Sequence, residues 1–380
     1  MTPPEGCSGL TRRQFVGLLA ASGVTAAGGY ALYEYTPWLN YEAKADQVRS
    51  SLVVTSTTPS RMTKLVRAAT LAASSHNTQP WRFVVRQDSI EIHPDKSRQL
   101  LVLDPAGREL WTSLGCALEN MLVAAHAAGY ATQVVYPETA EVIQVHLGTD
   151  SVQSNPLFAA ISLRQNTRSL YDAQPVPQTV LKQLQAVSSE PGVSVQFVHE
   201  PSELKTVLEY VNQGNLKQYA DLAFVRELIH WLRFTRKDAL ATLDGLYTRS
   251  SGNPEVPRWL GQMVVGGTKP QGQADADAAK FRSSSGAVLI ASETDDKAAW
   301  VRTGQVYERL ALQMTVLGVQ SAFLNQPIEV SSVRSRLSTA VKLGPALPQL
   351  LMRFGYGPLL PNSLRRPVEQ VMTGQALTTL

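Results

Sequence analysis

The sequence predicts an α+β protein in which two related units are fused in one chain. The main observation is a repeat, W-x3-G-x3-E-x9-G, which starts at Trp111 and starts again at Trp300. Each copy has apolar residues at helical spacing and is followed by a strand-like run, at 133–136 in the first copy and at 321–324 in the second. A chain of 380 residues with 44% apolar side chains is large enough to build a core for both units.

The composition excludes several classes of protein. Charged residues make up only 17% of the chain and its 22 prolines are spread along it, so a disordered or low-complexity chain is excluded. The formal net charge is +4 and no run of Lys and Arg exceeds two residues, so we expect no nucleic-acid partner. The six histidines are too far apart to form a metal-binding pair on one helix. Cys116 is the only cysteine after the N-terminal segment, and we expect a buried, unreactive thiol without an intrachain disulfide.

The first 33 residues are typical of an export signal. Arg12 and Arg13 precede an uncharged, moderately apolar run from 14 to 33, and Glu34 ends it. Paired arginines before such a run resemble a twin-arginine signal, which implies the twin-arginine translocase as a partner. We therefore expect the folded protein in the periplasm or on the outer face of the cytoplasmic membrane. The run is long enough to span a bilayer, so an uncleaved membrane anchor is a second interpretation.

The pattern predicts a first unit at 55–150 and a second unit at 151–380. The second unit contains an insertion at about 213–280, in which apolar residues from Leu222 to Leu232 recur at the spacing of an amphipathic helix. Two interpretations of the insertion are open. It is either a lid over a binding site or an elaboration that packs on the surface.

Polar motifs that could hold a ligand differ between the two copies. The first copy contains S-S-H-N-T-Q-P-W at 74–81, where short donors and acceptors lie on a turn before a strand that starts near Arg82. Its counterpart in the second copy keeps only the serines. The second copy instead starts with Arg164 and Arg168, which on a helix would face one side and could bind a phosphate together. Taken singly, the serine motif is as compatible with an ordinary polar turn as with a ligand site. The arginine pair is as compatible with a solvated helix face as with a phosphate site.

Together the motifs resemble those of the nitroreductase family, whose members bind flavin mononucleotide (FMN). The fused arrangement with a twin-arginine signal resembles the Acg subfamily, over roughly residues 60–372. This resemblance implies two nitroreductase-like units, each with a mixed central sheet flanked by helices, that form a pseudo-dimer with a lid-like insertion. It also implies the residues that bind FMN, which are Ser74, Ser75, Asn77 and Gln79 at the flavin or ribityl chain, and Arg164, Arg168 and Arg365 or Arg366 at the phosphate.

Three further positions follow from the same resemblance. Lys280 stands where the family has a lysine ahead of a central strand, here 287–290. Asn325 and Gln326 stand where the chain passes beside flavin N5, and many members have Glu and Gly there. This difference affects how N5 is contacted and which molecule donates the hydride.

The uneven motifs predict one FMN per chain. Only one of the two pseudo-symmetric sites keeps both the serine turn and the arginines, so we expect a monomer that needs no second chain. The resemblance implies an oxidoreductase that reduces a small organic electrophile, with the flavin rather than a side chain carrying the hydride. Two alternatives stay open, which are a protein that stores FMN without turnover and a membrane-tethered electron-transfer module that is fed by an electron-donor protein.

Replacing both signal arginines (Arg12→Lys and Arg13→Lys) should keep the protein in the cytoplasm, because the translocase recognises the arginine pair and not charge alone. Cell fractionation with immunoblotting measures the distribution. The matched control is the pair Arg61→Lys and Arg67→Lys, which lies outside the signal and should leave export unchanged. Normal export of the Arg12/Arg13 variant would contradict the twin-arginine interpretation.

Overall fold

The computed structural model describes residues 40–50, 52, 61–137, 140–152 and 154–374. The predicted export signal lies outside these residues. The described residues form a mixed α+β fold with two main sheets, which confirms the predicted fold class. No helix in this part of the chain is both long and apolar enough to cross a membrane.

The first unit consists of helices and antiparallel strands, namely α1 (Tyr41–Ser50), α2 (Arg61–Thr70), β1 (Trp81–Val85), β2 (Ser89–Pro94), α3 (Arg108–Ala127), β3 (Tyr130–Val135) and β4 (Ile143–Thr149). The strands pair in the order β1-β2-β4-β3. Buried and less buried side chains alternate along β1, as in a sheet with one face on the core. Every residue of α3 from Arg108 to Met121 is buried, because this helix packs between its own sheet and the second unit. The predicted strand at 133–136 is confirmed as the end of β3.

The second unit starts with α4 (Pro156–Ile161), α5 (Gln178–Gln185), β5 (Val193–Val198) and α6 (Pro201–Ala220). The insertion follows and contains α7 (Leu222–Trp231), β6 (Leu232–Arg233), α8 (Arg236–Thr242), β7 (Leu246–Tyr247), α9 (Arg258–Gly266) and α10 (Pro270–Arg282). The amphipathic helix predicted there is confirmed as α7. Strands β6 and β7 form a small parallel pair.

The rest of the second unit completes an antiparallel sheet with β8 (Gly286–Ser292), α11 (Lys297–Val316), β9 (Gln320–Phe323), α12 (Gln326–Glu329), α13 (Ser331–Ala340) and β10 (Leu347–Gly355). The strand order is β5-β8-β10-β9. All seven residues of β8 are buried, which explains its uninterrupted run of small and apolar side chains. The predicted strands at 287–290 and 321–324 are confirmed as β8 and β9.

The C-terminal segment returns to the first unit. Its short elements are α14 (Val368–Val371) and β11 (Met372–Gly374). Strand β11 pairs parallel with β1 and so adds a fifth strand to the first sheet. The chain after β10 therefore ties the second unit to the serine turn that precedes β1.

The first glycine of each repeat, Gly115 or Gly304, lies where α3 and α11 cross. A Cβ atom on Gly304 would lie 2.0 Å from the carbonyl oxygen of Thr112, and one on Gly115 would lie 2.0 Å from that of Val301. No side chain fits at either position, so the two helix backbones touch. The repeated pattern that the sequence shows is thus the contact that joins the two units.

Replacing Gly304 by alanine should destabilise the protein by about 1–3 kcal/mol or more, because the methyl group would overlap the Thr112 carbonyl. The matched control is Gly272→Ala in α10, where nothing lies within 4 Å of the added carbon. That change should stabilise the helix by roughly 0.5–1 kcal/mol. Urea unfolding, monitored by circular dichroism, measures the free energy of unfolding of both variants. An unchanged free energy of unfolding for Gly304→Ala would contradict the close crossing.

Candidate functional site

A cavity of about 460 Å³ lies between the two units and the insertion. Its wall contains six of the residues predicted to bind the cofactor, which are Ser74 and Ser75 from the first unit and Arg168, Lys280, Asn325 and Gln326 from the second. The other predicted residues lie outside this wall, and they are Asn77, Gln79, Arg164, Arg365 and Arg366. The fold therefore brings residues about 90 to 250 positions apart to one cavity.

The serine turn is held in an unusual backbone conformation. His76, Asn77 and Gln79 have φ values of 48°, 53° and 53°, a region that residues with a Cβ rarely adopt. Hydrogen bonds fix the turn, since the Gln79 N–H donates to Ser74 Oγ at 3.1 Å and the Ser75 hydroxyl donates to Glu109. Consecutive strained residues persist only where the surroundings determine them, and such residues concentrate at binding sites.

Asn77 and Gln79 bind protein groups outside the wall of the main cavity, and Asn77 also lines a smaller pocket beside it. The Asn77 Nδ2 donates to the Gly245 carbonyl at 3.1 Å, and its Oδ1 accepts from Arg365 at 2.9 Å. The Gln79 Oε1 accepts from the Arg366 N–H at 2.8 Å. These side chains join the serine turn to the insertion and to the C-terminal segment.

The predicted helix that would carry Arg164 and Arg168 is wrong. Helix α4 ends at Ile161, and the chain then runs beside β9, where the Thr167 N–H donates to the Ser321 carbonyl at 2.9 Å. A buried ion pair accounts for the difference, because Arg164 Nε lies 2.8 Å from Glu308 Oε1 and so draws this side chain into the interface. The two arginines do not share a helix face.

Arg164 and Arg168 nevertheless meet at a small pocket of about 40 Å³ that adjoins the main cavity. Four arginines line this arginine pocket, and they are Arg49, Arg164, Arg168 and Arg365. Among the described residues, Glu308 is the only carboxylate that contacts any of the four. Ser74 and Arg168 line both the arginine pocket and the main cavity, so the two spaces adjoin at these residues.

The arginine pocket carries excess positive charge. Burial and the neighbouring Arg164 lower the pKa of Arg49 to about 10. Burial, Arg49 and Arg164 also lower the pKa of Arg365 well below its usual range. The guanidinium group of Arg168 makes no hydrogen bond or ion pair with any described residue. Uncompensated buried cations favour an anionic ligand, since a buried charge needs a partner.

Two more basic residues stand on the main cavity wall. Lys280 Nζ lies 3.7 Å from the Asp277 carboxylate, and burial lowers the pKa of Lys280. Arg353 stacks on Tyr171 with 3.9 Å between its Cζ and the ring centroid, and it donates to the Ser169 carbonyl at 2.7 Å. Lys280 is thus the more available of the two for a ligand.

The residues after β9 are fixed by polar contacts. Asn325 Oδ1 accepts from the Leu351 N–H at 2.8 Å, and its Nδ2 lies 3.4 Å from a Glu109 oxygen. Gln326 Nε2 donates to Asp277 at 3.0 Å, while its buried Oε1 has no protein donor. Gln326 lines the cavity, and this oxygen is a buried acceptor without a donor among the described residues.

The pseudo-symmetric position in the second copy is built differently. There Arg309 lies between two carboxylates, at 2.7 Å from Glu119 and at 2.8 Å from Glu190, and it also donates to the Ser188 carbonyl. A small space of about 110 Å³ beside Leu310 has a mainly apolar lining. An arginine that is fully paired offers no charge to a ligand, in contrast to Arg168.

Sequence reasoning missed Arg49, Arg353, Glu109 and Glu329. Arg353 had a visible signal, because it is the only charge in the apolar run 350–354, where a charged side chain requires specific partners. The other three gave no comparable signal. The buried free thiol predicted for Cys116 is confirmed, and burial raises its pKa. The described residues contain no cluster of His, Cys, Asp and Glu that could hold a metal ion.

No family model matches the chain. The chain is 29% identical over 318 residues to a Mycobacterium tuberculosis protein provisionally named as an NAD(P)H nitroreductase, with 80% of this chain and 88% of that protein aligned. The protein provisionally named NAD(P)H nitroreductase acg from the same organism is 26% identical over 324 residues, which are 80% of this chain and 93% of the relative. The solved structure of the FMN-dependent nitroreductase NfnB from Mycobacterium smegmatis with NADPH aligns at 13% identity and a TM-score of 0.37, over 56% of this chain and 93% of that one. Over most of its length the chain is therefore similar to proteins provisionally named as NAD(P)H nitroreductases.

Proposed function

We propose that the chain is an FMN-dependent oxidoreductase of the nitroreductase type that binds one FMN. The FMN phosphate would lie in the arginine pocket, and the flavin ring would lie in the adjoining cavity. The observation that carries this proposal is a group of four arginines, of which Arg49, Arg164 and Arg365 are buried and Arg168 is half-buried, with a single carboxylate. A phosphate supplies the missing negative charge and accepts several charge-assisted hydrogen bonds.

The dimensions and polar groups fit this ligand. A cavity of about 460 Å³ lies within the range of roughly 300–1,000 Å³ that is typical of small-molecule sites. Ser74 stands where the two spaces meet, so it would lie between the phosphate and the ring. Gln326 and the turn residues Ser75 and His76 line the cavity and would provide polar groups beside the ring.

The protein's part in the reaction would be to bind, orient and exclude water. FMN supplies the exchange of hydride when it is bound. Apolar side chains from three elements line the cavity and limit water beside the reacting atoms, and they include Leu103, Phe224, Leu228 and Leu350. The names of the relatives support NAD(P)H as the hydride donor and a small organic electrophile as the acceptor.

A second candidate function is storage of FMN without turnover. Helix α7 and the segments that follow it contribute Phe224, Leu228, Leu246 and Thr268 to the wall, so the insertion covers part of the cavity. This placement supports the lid interpretation, and a lid that stays closed would keep substrates from the flavin.

We also propose that the protein is exported as a folded monomer by the twin-arginine translocase. The paired arginines at 12 and 13 support export. The paired Arg309 at the second pseudo-symmetric position supports one complete site per chain. A membrane-tethered role with an electron-donor protein is the corresponding alternative if the N-terminal segment is retained.

Replacing Arg168 by alanine should weaken FMN binding by about ten- to a hundredfold, since one charge-assisted phosphate contact is worth roughly 1.5–3 kcal/mol. The affinity for riboflavin, which lacks the phosphate, should change little. Isothermal titration of both ligands measures the difference. The control is Arg258→Ala, which removes an exposed arginine. If Arg168→Ala lowered the affinity for riboflavin as much as that for FMN, the arginine pocket would not be the phosphate site.

The purified protein should bind one FMN per chain, and NADH or NADPH should bleach the oxidised flavin band within seconds under anaerobic conditions. Stopped-flow absorbance measures the bleaching, with dithionite as the control reductant. Bleaching by dithionite alone would favour storage or electron transfer from a partner protein. A stoichiometry of two FMN would contradict the single-site arrangement.

A further inference from the structure

Helix α9 of the insertion carries three large apolar side chains that are exposed to solvent, and together they form the α9 face. Trp259, Met263 and Val264 are 64%, 61% and 59% exposed. Single exposed apolar residues are common, but a cluster on one short helix that includes a tryptophan is typical of a contact surface. None of the three lines the main cavity or the arginine pocket. The α9 face is therefore separate from the candidate flavin site.

The packing of α9 explains why this face is exposed. A Cβ atom on Gly261 would lie 2.1 Å from the Phe234 ring, so this side of α9 is pressed against the rest of the insertion. Trp259 and Met263 each stand two residues from Gly261, which places them on the opposite side of a helix with about 3.6 residues per turn. Val265 of the same helix lines the main cavity. Helix α9 thus contributes to the cavity wall on one side and presents the α9 face to solvent on the other.

The charged residues that flank the α9 face are basic. The stretch 256–274 contains Arg258 and Lys269 and has no Asp or Glu. Both basic residues are exposed. Arg258 Nη1 lies 3.7 Å from Asp238, yet 62% of the Arg258 side chain remains accessible. A tryptophan and aliphatic side chains between two cations are typical of a segment that lies on a membrane with anionic lipids, because the ring favours the interface and the cations bind the headgroups.

The first described residues of the chain pack on the same insertion. The Tyr41 ring stacks on that of Tyr247 with 4.4 Å between the centroids, and the Tyr247 hydroxyl donates to Glu255 at 2.6 Å, three residues before Arg258. The apolar run at 14–33 ends eight positions before Tyr41. Eight residues span at most about 29 Å, so a run retained in a bilayer would keep that bilayer near the insertion.

We propose that the α9 face docks on a lipid bilayer that contains anionic lipids. The apolar side chains enter the headgroup region, where removal of their surface from water drives docking, and Arg258 and Lys269 bind lipid phosphates. Docking brings the cavity wall at Val265 towards the membrane surface. The proposal goes beyond the flavin-dependent function and does not depend on it.

The test uses the full chain with Cys7→Ser and Met263→Cys, labelled with the fluorophore NBD, whose emission changes when it passes from water into lipid. Cys116 is buried and stays unlabelled. Vesicles of equal parts phosphatidylcholine and phosphatidylglycerol should shift the emission to shorter wavelength and increase its intensity. The matched control is Val152→Cys with the same label, an exposed apolar position after β4 in the first unit, and its emission should not change.

Two further variants of the labelled protein separate the apolar and the charged contributions. Trp259→Ser should lower the ratio of docked to free protein about tenfold, because much of the apolar surface that docking buries is lost. The pair Arg258→Gln and Lys269→Gln should lower the ratio about tenfold on the mixed vesicles and change it little on phosphatidylcholine alone.

Three outcomes would overturn the proposal. The first is an unchanged emission at Met263→Cys while the protein sediments with the vesicles, because the N-terminal segment alone would then hold the protein on the membrane. The second is an equal shift at Val152→Cys. The third is a shift that arises without vesicles as the protein concentration rises, which would assign the α9 face to a contact with a second copy of the chain.

Discussion

The contact between the backbones of α3 and α11 sets the geometry of everything around the cavity. Because Gly115 and Gly304 carry no side chain, the helices approach closely enough for Glu308 of one unit to meet the other. Glu308 accepts from the backbone N–H of Ala73, next to the serine turn, and pairs with Arg164 at 2.8 Å. A wider crossing would move the serine turn away from Arg168. The repeat therefore encodes the relative position of two half-sites as well as the packing of two helices.

The electrostatic asymmetry of the two pseudo-symmetric positions follows from how each buried arginine is paired. Arg309 is neutralised by Glu119 and Glu190, so that position is complete without a ligand. At the other position Glu308 pairs with Arg164, and it is the one described carboxylate in contact with the four arginines, so positive charge is in excess there. Binding of an anion would relieve this repulsion, so ligand and fold stabilise each other there. The two positions therefore differ in whether the arginine is paired within the protein, as at Arg309, or left without a described partner, as at Arg168.

The periodic parts of the structure could be predicted from the sequence, and the parts set by distant partners could not. Helix α7 and strands β8 and β9 were predicted because their spacing of apolar residues reflects local geometry. The conformation at Arg164 could not be predicted, because its ion-pair partner Glu308 lies more than 140 residues away in α11. Asn77 matched a motif, but its partners lie in the insertion and the C-terminal segment, and no local pattern shows them.

The serine turn separates two opposite electrostatic environments, and this gives the cavity a direction. Ser74 lines the arginine pocket, whereas the hydroxyl of the next residue, Ser75, binds the carboxyl group of Glu109. An anion at the acidic end would meet the carboxyl groups of Glu109 and Glu329, and at the basic end it would meet four arginines. A ligand with a phosphate at one end and a neutral ring at the other can therefore bind in one orientation only. Under the proposed function its ring would then lie beside Glu109 and Glu329, which line the main cavity but not the arginine pocket.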